Sequence, residues 1–468
     1  MPSAGAGEPG NADPGAVGGD RAPGRRHVVI VGGGFGGLTA ARELRGADVR
    51  VTVVDRMHHH LFQPLLYQVA CGGLGEGEIA VPIRAALRRQ DNVEVLMAEA
   101  TGLDAERRRL TLDGGQELTY DSLIVACGAR TSYFGNEHWS EVTSGVKTLV
   151  EALALRNRLY GAFERAERSL DEEERRALMT FVVIGGGPTG VEVAGEIAIV
   201  CKDTLSREYA RIGRDDARVI LLDAGERVVP AFSERLSRKA AAELTSLGVS
   251  VRERTRATAI DEYGVTVQAG DAGAASTHGD DAAGSGARGA GATPHEERIA
   301  ARTVIWAAGV RAAPFAATLA QATGAPTDRS GRVPIEPDLT VPGHREISLI
   351  GDASALSEPD GKPLPGLATV AIQQARHVAK AIRAGQPGAE TPFRYFDKGA
   401  LAVVGRGRAV CAIRDFELWG RPAFFMYLTV HMYYLGGVPG QRLKVLIDWF
   451  TARLGKLQSQ VIEDALQR

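Results

Sequence analysis

Short apolar runs of four or five residues recur along the chain: Val28–Val31, Val51–Val54, Leu123–Cys127, Phe181–Ile184, Val219–Leu222, Val304–Ala308 and Ile347–Ile350. Continuous apolar runs of this length, stopped by glycine or an acid, read as strands buried on both faces of a parallel sheet. The first six fall into two sets of three with the same punctuation. Val28–Val31 leads into Gly32, Gly34 and Gly37; Phe181–Ile184 leads into Gly185, Gly187 and Gly190. The second run of each set ends in an acid, Asp55 or Asp223, and the third in a small-residue turn with Gly128 or Gly309. The pattern predicts an α/β fold with two Rossmann-like dinucleotide-binding domains, the second inserted in the first.

The residue types follow from what a pyrophosphate needs. The first glycine makes the tight strand-to-helix turn, the second admits the phosphates to the backbone, and the third lets helix and strand pack closely. The helix N-terminus supplies N–H groups and partial positive charge. The acid accepts hydrogen bonds from ribose hydroxyls. A single glycine motif is weak evidence, whereas two complete copies imply two dinucleotides and therefore an electron carrier.

The copies differ in length. Gly32 to Asp55 is 23 positions and Gly185 to Asp223 is 38; Asp55 to Gly128 is 73 and Asp223 to Gly309 is 86. The first excess lengthens the second glycine helix and its exit, around Cys201 to Asp216. The second coincides with a Gly/Ala/Asp/Ser-rich stretch at about 269–297, which has too few large apolar residues to offset its ordering entropy and reads as a disordered loop.

The C-terminal end has a different texture. Pro422–Leu435 is apolar and aromatic, and beyond it Leu443, Leu446, Ile447, Phe450 and Leu454 recur at helical spacing. Arg442, Lys444, Arg453 and Lys456 lie largely off that stripe, and Trp449 sits near its border. A basic amphipathic helix with aromatics suits in-plane contact with a membrane surface. No apolar run reaches the 18 or so residues of a spanning helix, so the expectation is a peripheral, monotopic protein with no proton path across the bilayer.

Composition narrows the class. The net charge of −2 gives no reason to expect nucleic acid. Four cysteines, Cys71, Cys127, Cys201 and Cys411, form neither a C-x-x-C nor a metal-binding spacing, which argues against a dithiol-active flavoenzyme and against a metal site. Residues 1–26, rich in Gly, Ala and Pro, read as a disordered tail without the apolar core of a signal peptide.

Several stretches resemble type II NADH dehydrogenases, the single-subunit NADH:quinone oxidoreductases: His58–Ala70 (HHHLFQPLLYQVA), Gly185–Glu196 (GGGPTGVEVAGE), Leu364–Ile382 and Phe393–Val410. The resemblance covers about residues 27 to 455. It implies FAD on the first Rossmann unit and NADH on the second. Residues 27–145 and 326–404 then form the FAD domain, 146–325 the NADH domain, and 405–468 the membrane-associating region. By the same resemblance FAD is held by Gly32, Gly34, Gly37, Asp55, Arg56, Gln63, Pro64, Leu65, Ala126, Gly128, Gly351, Asp352, Ala368 and Gln374. NADH is held by Gly185, Gly187, Gly190, Asp223 and Gly309. Glu192 is implied to face the nicotinamide, Gln373 the flavin or quinone edge, and Lys398 negative charge on the reduced ring or quinol.

Many members have Ala-Gln where this chain has Ala368-Thr369, so the quinone contacts differ in detail. The expected activity is non-electrogenic transfer of two electrons from NADH to a membrane quinone, at the cytoplasmic face of the cell membrane. A homodimer through the C-terminal region stays open. So do a sulfide:quinone oxidoreductase, which needs cysteines beside the flavin, and a soluble ferredoxin-type reductase.

Asp223 accepts a free 2′-hydroxyl and repels a 2′-phosphate. NADH is therefore expected to be oxidised faster than NADPH in steady-state assays; a faster rate with NADPH would refute the assignment.

Overall fold

The structure is a computed structural model of the chain. It describes residues 24–203, 208–270, 296–358, 361–386, 391–435, 442, 445 and 446. The low-complexity loop, most of the N-terminal tail and most of the amphipathic stripe at 443–454 lie outside the described residues. Packing divides the chain into two compact units. The first takes the described residues of Met1–His60, Ile83–Ala129 and Ala312–Tyr395; the second takes those of Leu61–Pro82, Arg130–Arg311 and Phe396–Arg468. These limits follow packing, whereas the sequence divides the chain by nucleotide.

The first unit is built on a six-stranded sheet in the spatial order Thr340–Val341, His344–Leu349, Ser122–Val125, Arg26–Val31, Val49–Asp55, Val93–Met97. All neighbours are parallel except the edge pair Thr340–Val341 with His344–Leu349. The register sets Ile30 against Val53 on one side and Ile124 on the other. Every residue of His27–Val31 is buried, in one core with helices Phe35–Glu43 and Ala368–Arg383 and with the antiparallel sheet Ala100–Asp104, Arg109–Leu112, Glu117–Thr119. Helices Phe35–Glu43 and Ala368–Arg383 pack together in this unit, and Arg383 donates to the Glu43 and Arg45 carbonyls at the end of the first of them.

The second unit repeats the plan with five parallel strands: Ser144–Gly145, Thr303–Trp306, Thr180–Ile184, Arg218–Leu222 and Val249–Arg252. The strand that feeds the glycine turn has its successor on one side and the closing strand on the other, as in the first unit. That order creates the crevice at the carboxyl ends where dinucleotides bind. Helix Leu149–Arg168 opens with a capping box: Thr148 accepts from the Glu151 N–H, and Glu151 accepts from the Thr148 N–H. Such a cap is worth about 1 kcal/mol. Its buried face, Ala152, Leu155, Leu159, Ala162, Phe163 and Ala166, follows the helical period.

The extra residues of the second copy sit where the spacing puts them. Helix Pro188–Asp203 runs 16 residues against 9 for Phe35–Glu43. The low-complexity stretch joins Gly264–Ala269 to Glu296–Ala300, two antiparallel strands of a three-stranded sheet. A hairpin connection tolerates insertion because loop length costs little free energy. The apolar segment after residue 421 forms helix Arg421–Tyr434, which packs through Ala423 and Tyr427 and leaves Phe425 and Tyr433 more than two-thirds exposed. Arg442 donates to the Tyr433 and Leu435 carbonyls and so caps its end. Of the expected apolar stripe, Leu446 is described and is exposed, while neighbouring Val445 is buried. No helix among the described residues is long and apolar enough to cross a membrane.

Candidate active site

Both glycine turns show the same sterics. A Cβ on Gly37 would lie 1.7 Å from the Gly32 carbonyl oxygen, and one on Gly190 would lie 1.8 Å from that of Gly185. Gly32 and Gly185 have φ of +104° and +112°, and a Cβ on either would collide with the backbone after the closing strand, at Ala126 and at Ala307–Ala308. Gly34 and Gly187, by contrast, meet nothing within 4 Å. The first and third glycines are filled by protein and the second faces open space, which is the division of labour a pyrophosphate requires.

The acids are fixed by the same turns. Asp55 accepts from the Gly33 N–H at 2.5 Å and the Met57 N–H at 2.7 Å. Asp223 accepts from the Gly186 N–H and, at 2.6 Å, from the Gly225 N–H. Each carboxylate is thus held at the carboxyl edge of its sheet, beside its glycine turn. Arg218 and Arg227 are no rivals for a 2′-phosphate. Arg218 lies at the opposite end of its strand, and Arg227 donates to the Pro230 and Phe232 carbonyls. Arg254, in the adjoining loop, faces Glu226 at 3.6 Å.

The first unit gathers Gly32, Gly34, Gly37, Asp55, Arg56, Ala126, Gly128, Gly351, Asp352, Ala368, Gln373 and Gln374. Gly128 and Gly351 have φ of +68° and +76°, a conformation that favours glycine. Gln374 is 1% exposed; its Oε1 accepts from the Gly351 N–H at 2.7 Å, and its Nε2 has no partner among the described residues. Asp352 follows Gly351 in a short 3₁₀ turn. An open glycine cradle, a positioned carboxylate and an unsatisfied buried amide beside Gly351 are the features a large polar dinucleotide such as FAD would complete. Gln373 is half-buried on the helix Ala368–Arg383. Thr369 hydrogen-bonds Tyr395 through its hydroxyl at 3.1 Å, so this helix start is tied down by a hydroxyl pair.

The second unit holds Gln63, Pro64, Leu65, Gly185, Gly187, Gly190, Glu192, Asp223, Gly309 and Lys398. Gln63 donates to the Lys147 carbonyl and Leu65 is buried. Gly309 has φ of +74°, and the Phe134 ring lies 2.4 Å from where its Cβ would be. Lys398 is exposed, with its Nζ 2.8 Å from the Tyr434 hydroxyl.

Glu192 is the fifth residue of helix Pro188–Asp203, just past its first turn. Burial pushes its carboxyl up to about 8; only a long contact from the Val403 N–H, at 3.4 Å, opposes that shift. The contact exists because Gly195 lets the helix meet strand Ala400–Gly405 backbone to backbone: a Cβ there would fall 1.8 Å from the Val404 oxygen. One turn on, buried Glu196 faces Arg406 at 3.5 Å. Gln68 donates to Tyr67, Tyr427 donates to the Pro64 carbonyl, and the two buried phenols act on each other. Burial raises both phenols; after it come Glu192 and Glu196 for Tyr67, and Tyr67 and then Glu192 for Tyr427. His431 stacks on Tyr427 at 3.7 Å between ring centroids, and burial pushes it down to about 4, so its imidazole is neutral at pH 7.

Sequence reasoning missed this cluster of Glu196, Tyr67, Gln68, Tyr427 and His431. Glu196 alone carried a signal, its i+4 spacing from Glu192. Burial pushes the Cys127 thiol up to about 12 and raises Cys71, Cys201 and Cys411, and all four are free. No cluster of metal ligands occurs among the described residues.

Two nucleotide cradles on duplicated Rossmann sheets define a two-dinucleotide oxidoreductase. A profile of the family described as "Pyridine nucleotide-disulphide oxidoreductase" matches residues 26–375. Within it, the chain is 41% identical over 447 residues to the Type II NADH:quinone oxidoreductase Ndh of Mycobacterium tuberculosis, covering 94% of this chain and 90% of that protein. The chain belongs to the type II NADH:quinone oxidoreductases. NDH2 from Plasmodium falciparum, solved in complex with NADH, superposes with a TM-score of 0.80 at 18% identity, covering 93% of this chain and 99% of that one. A sulfide:quinone oxidoreductase from Aquifex aeolicus gives 0.68 at 18% identity, covering 93% and 96%; fold is shared between the two activities.

Gly37→Ala is expected to lower bound flavin, measured by its absorbance per polypeptide. Gly190→Ala is expected to leave flavin in place and weaken NADH by about 1–3 kcal/mol, the usual range for overpacking. Equal loss of both ligands from either variant would refute two independent cradles.

Proposed function

We propose that this protein oxidises NADH and reduces a membrane quinone, with FAD as its resident cofactor. The observation that carries the reading is the duplicated cradle: two glycine turns, each with an open second glycine and a fixed acid, in a chain of this family. Gly32, Gly34, Gly37, Asp55, Asp352 and Gln374 are the residues that would hold FAD. When bound, FAD supplies the two-electron chemistry. The residues of the chain bind, orient and handle protons.

Gly187 and the start of helix Pro188–Asp203 take the NADH pyrophosphate, and Asp223 takes the adenosine ribose. Glu192, just past the first turn of that helix, is the proposed proton-handling group. With its carboxyl near 8 it is protonated at pH 7 and has a proton to give when a quinone is reduced. Gln373 is assigned to position the acceptor edge. Lys398, held by Tyr434, is assigned to stabilise developing negative charge. The sulfide-oxidising alternative needs paired reactive cysteines, whereas Cys127 is the one cysteine of the first unit and its thiol is held protonated.

The exposed aromatics of helix Arg421–Tyr434 support peripheral docking on the membrane surface, which we place on the cytoplasmic face. A homodimer through the same region competes for that surface.

A raised carboxyl pKa means that the folded state holds the proton more tightly than the unfolded chain. Glu192 therefore costs increasing stability as pH rises from about 4.5 to about 8. Glu192→Gln is expected to gain in melting temperature relative to wild type across that window and to keep its flavin. Its quinone reduction should fall by about 10²-fold. Wild-type turnover should decline as pH passes about 8, and the variant should lack that limb. An identical pH profile in both would remove Glu192 from the proton chemistry.

Phe425→Ser with Tyr433→Ser should reduce sedimentation with vesicles while leaving turnover with a water-soluble quinone intact. Unchanged sedimentation would contradict docking through this helix.

A further inference from the structure

At the edge of the first sheet opposite the glycine turn lies a concavity of about 770 Å³, bordered by the beginnings of strands Val49–Asp55 and Val93–Met97. Four guanidinium groups line it, Arg25, Arg50, Arg84 and Arg88, against two carboxylates, Asp91 and Glu94. Arg25 is paired with Asp48 at 3.0 Å. Arg50, Arg84 and Arg88 have no carboxylate partner among the described residues, and neither Asp91 nor Glu94 is within ion-pair distance of any of them. Arg50 instead lies 3.0 Å from the His27 imidazole, which burial and Arg50 itself keep neutral.

Arg84, in the short helix Ile83–Leu87, and Arg88, in the turn just past its end, are both exposed, and no carboxylate among the described residues offsets their like charge. The floor is rigid: Asn92 donates to the carbonyls of Leu44, Ala47 and Val49, and Gln90 to that of Ala41. These bonds tie the end of helix Phe35–Glu43 to the sheet. Buried Val49, Leu87 and Val95 give the concavity an apolar base. Three guanidinium groups without a carboxylate partner among the described residues, Arg50 held by its contact with His27, border this concavity and offer phosphate oxygens planar forks that match them in pairs.

We propose that this concavity is a further ligand site, separate from both nucleotide cradles, that binds a phosphorylated anion of at least two negative charges through Arg50, Arg84 and Arg88. The shared chemistry is a phosphate dianion or diphosphate. It is supplied either by a free phosphorylated metabolite or by an anionic lipid headgroup.

The test uses the full-length, flavin-loaded protein with saturating NAD⁺ to occupy the nucleotide site. Inorganic pyrophosphate is titrated calorimetrically against a potassium chloride control of equal ionic strength. One saturable site is expected, weakened about tenfold or more in Arg84→Gln/Arg88→Gln and largely restored in Arg84→Lys/Arg88→Lys. NADH turnover without pyrophosphate is expected to be the same in all three proteins. Displacement of bound pyrophosphate by a micellar short-chain phosphatidic acid, a phosphomonoester dianion, at lower concentration than inorganic phosphate assigns the headgroup; displacement by inorganic phosphate alone assigns a free phosphate. No saturable heat in the wild type, or equal affinity in wild type and the glutamine variant, overturns the proposal.

Discussion

The structure depends on a contact that permits no side chain. In both units the helix after the glycine turn rests on the carbonyl of the residue that begins the turn, with 1.7 and 1.8 Å left where a Cβ would stand. That closeness swings the helix N-terminus over the carboxyl edge of the sheet, leaves the second glycine facing open space, and brings an N–H of the turn onto the acid of the next strand. Sheet order, crevice and ribose anchor all follow from it, twice in one chain.

The same device appears a third time, away from any phosphate. Gly195 lets helix Pro188–Asp203 touch strand Ala400–Gly405 through bare backbone. A larger residue would push the strand off and open Glu192 to water, which would return its carboxyl toward the ordinary range. Two acids on one helix face meet different environments. Glu196 has Arg406 to offset its burial, and Glu192 has only a distant N–H. Environments that push like groups apart are how a fold separates a structural acid from a reactive one.

The glycine turns, the acids and the closing strands were legible in the sequence, because those features are local and each residue type answers to one geometric demand. Glu192 was legible as a position, and its raised pKa was not, since that comes from burial in the folded chain, where even the one contact that opposes it reaches across more than 200 residues. Tyr67, Tyr427 and His431 carried no sequence signal: they come from segments some 360 residues apart and look like ordinary apolar-face residues until packing joins them. Thr369 read as a lost amide, yet Tyr395 gives its hydroxyl a partner. The low-complexity insertion was placed by arithmetic alone, and a hairpin connection absorbs it. The cysteine spacing argued against a dithiol-active site, and burial, which holds the Cys71, Cys127 and Cys201 thiols protonated, was not legible there.

The measurement that tests the central claim most directly is anaerobic stopped-flow absorbance of the purified, flavin-loaded protein, mixed first with NADH and then with a short-chain quinone. The account predicts that NADH bleaches the flavin, that quinone restores it, and that both steps are at least as fast as steady turnover. A flavin bleached by NADH that quinone leaves reduced would contradict it, as would a flavin that responds to sulfide and not to NADH.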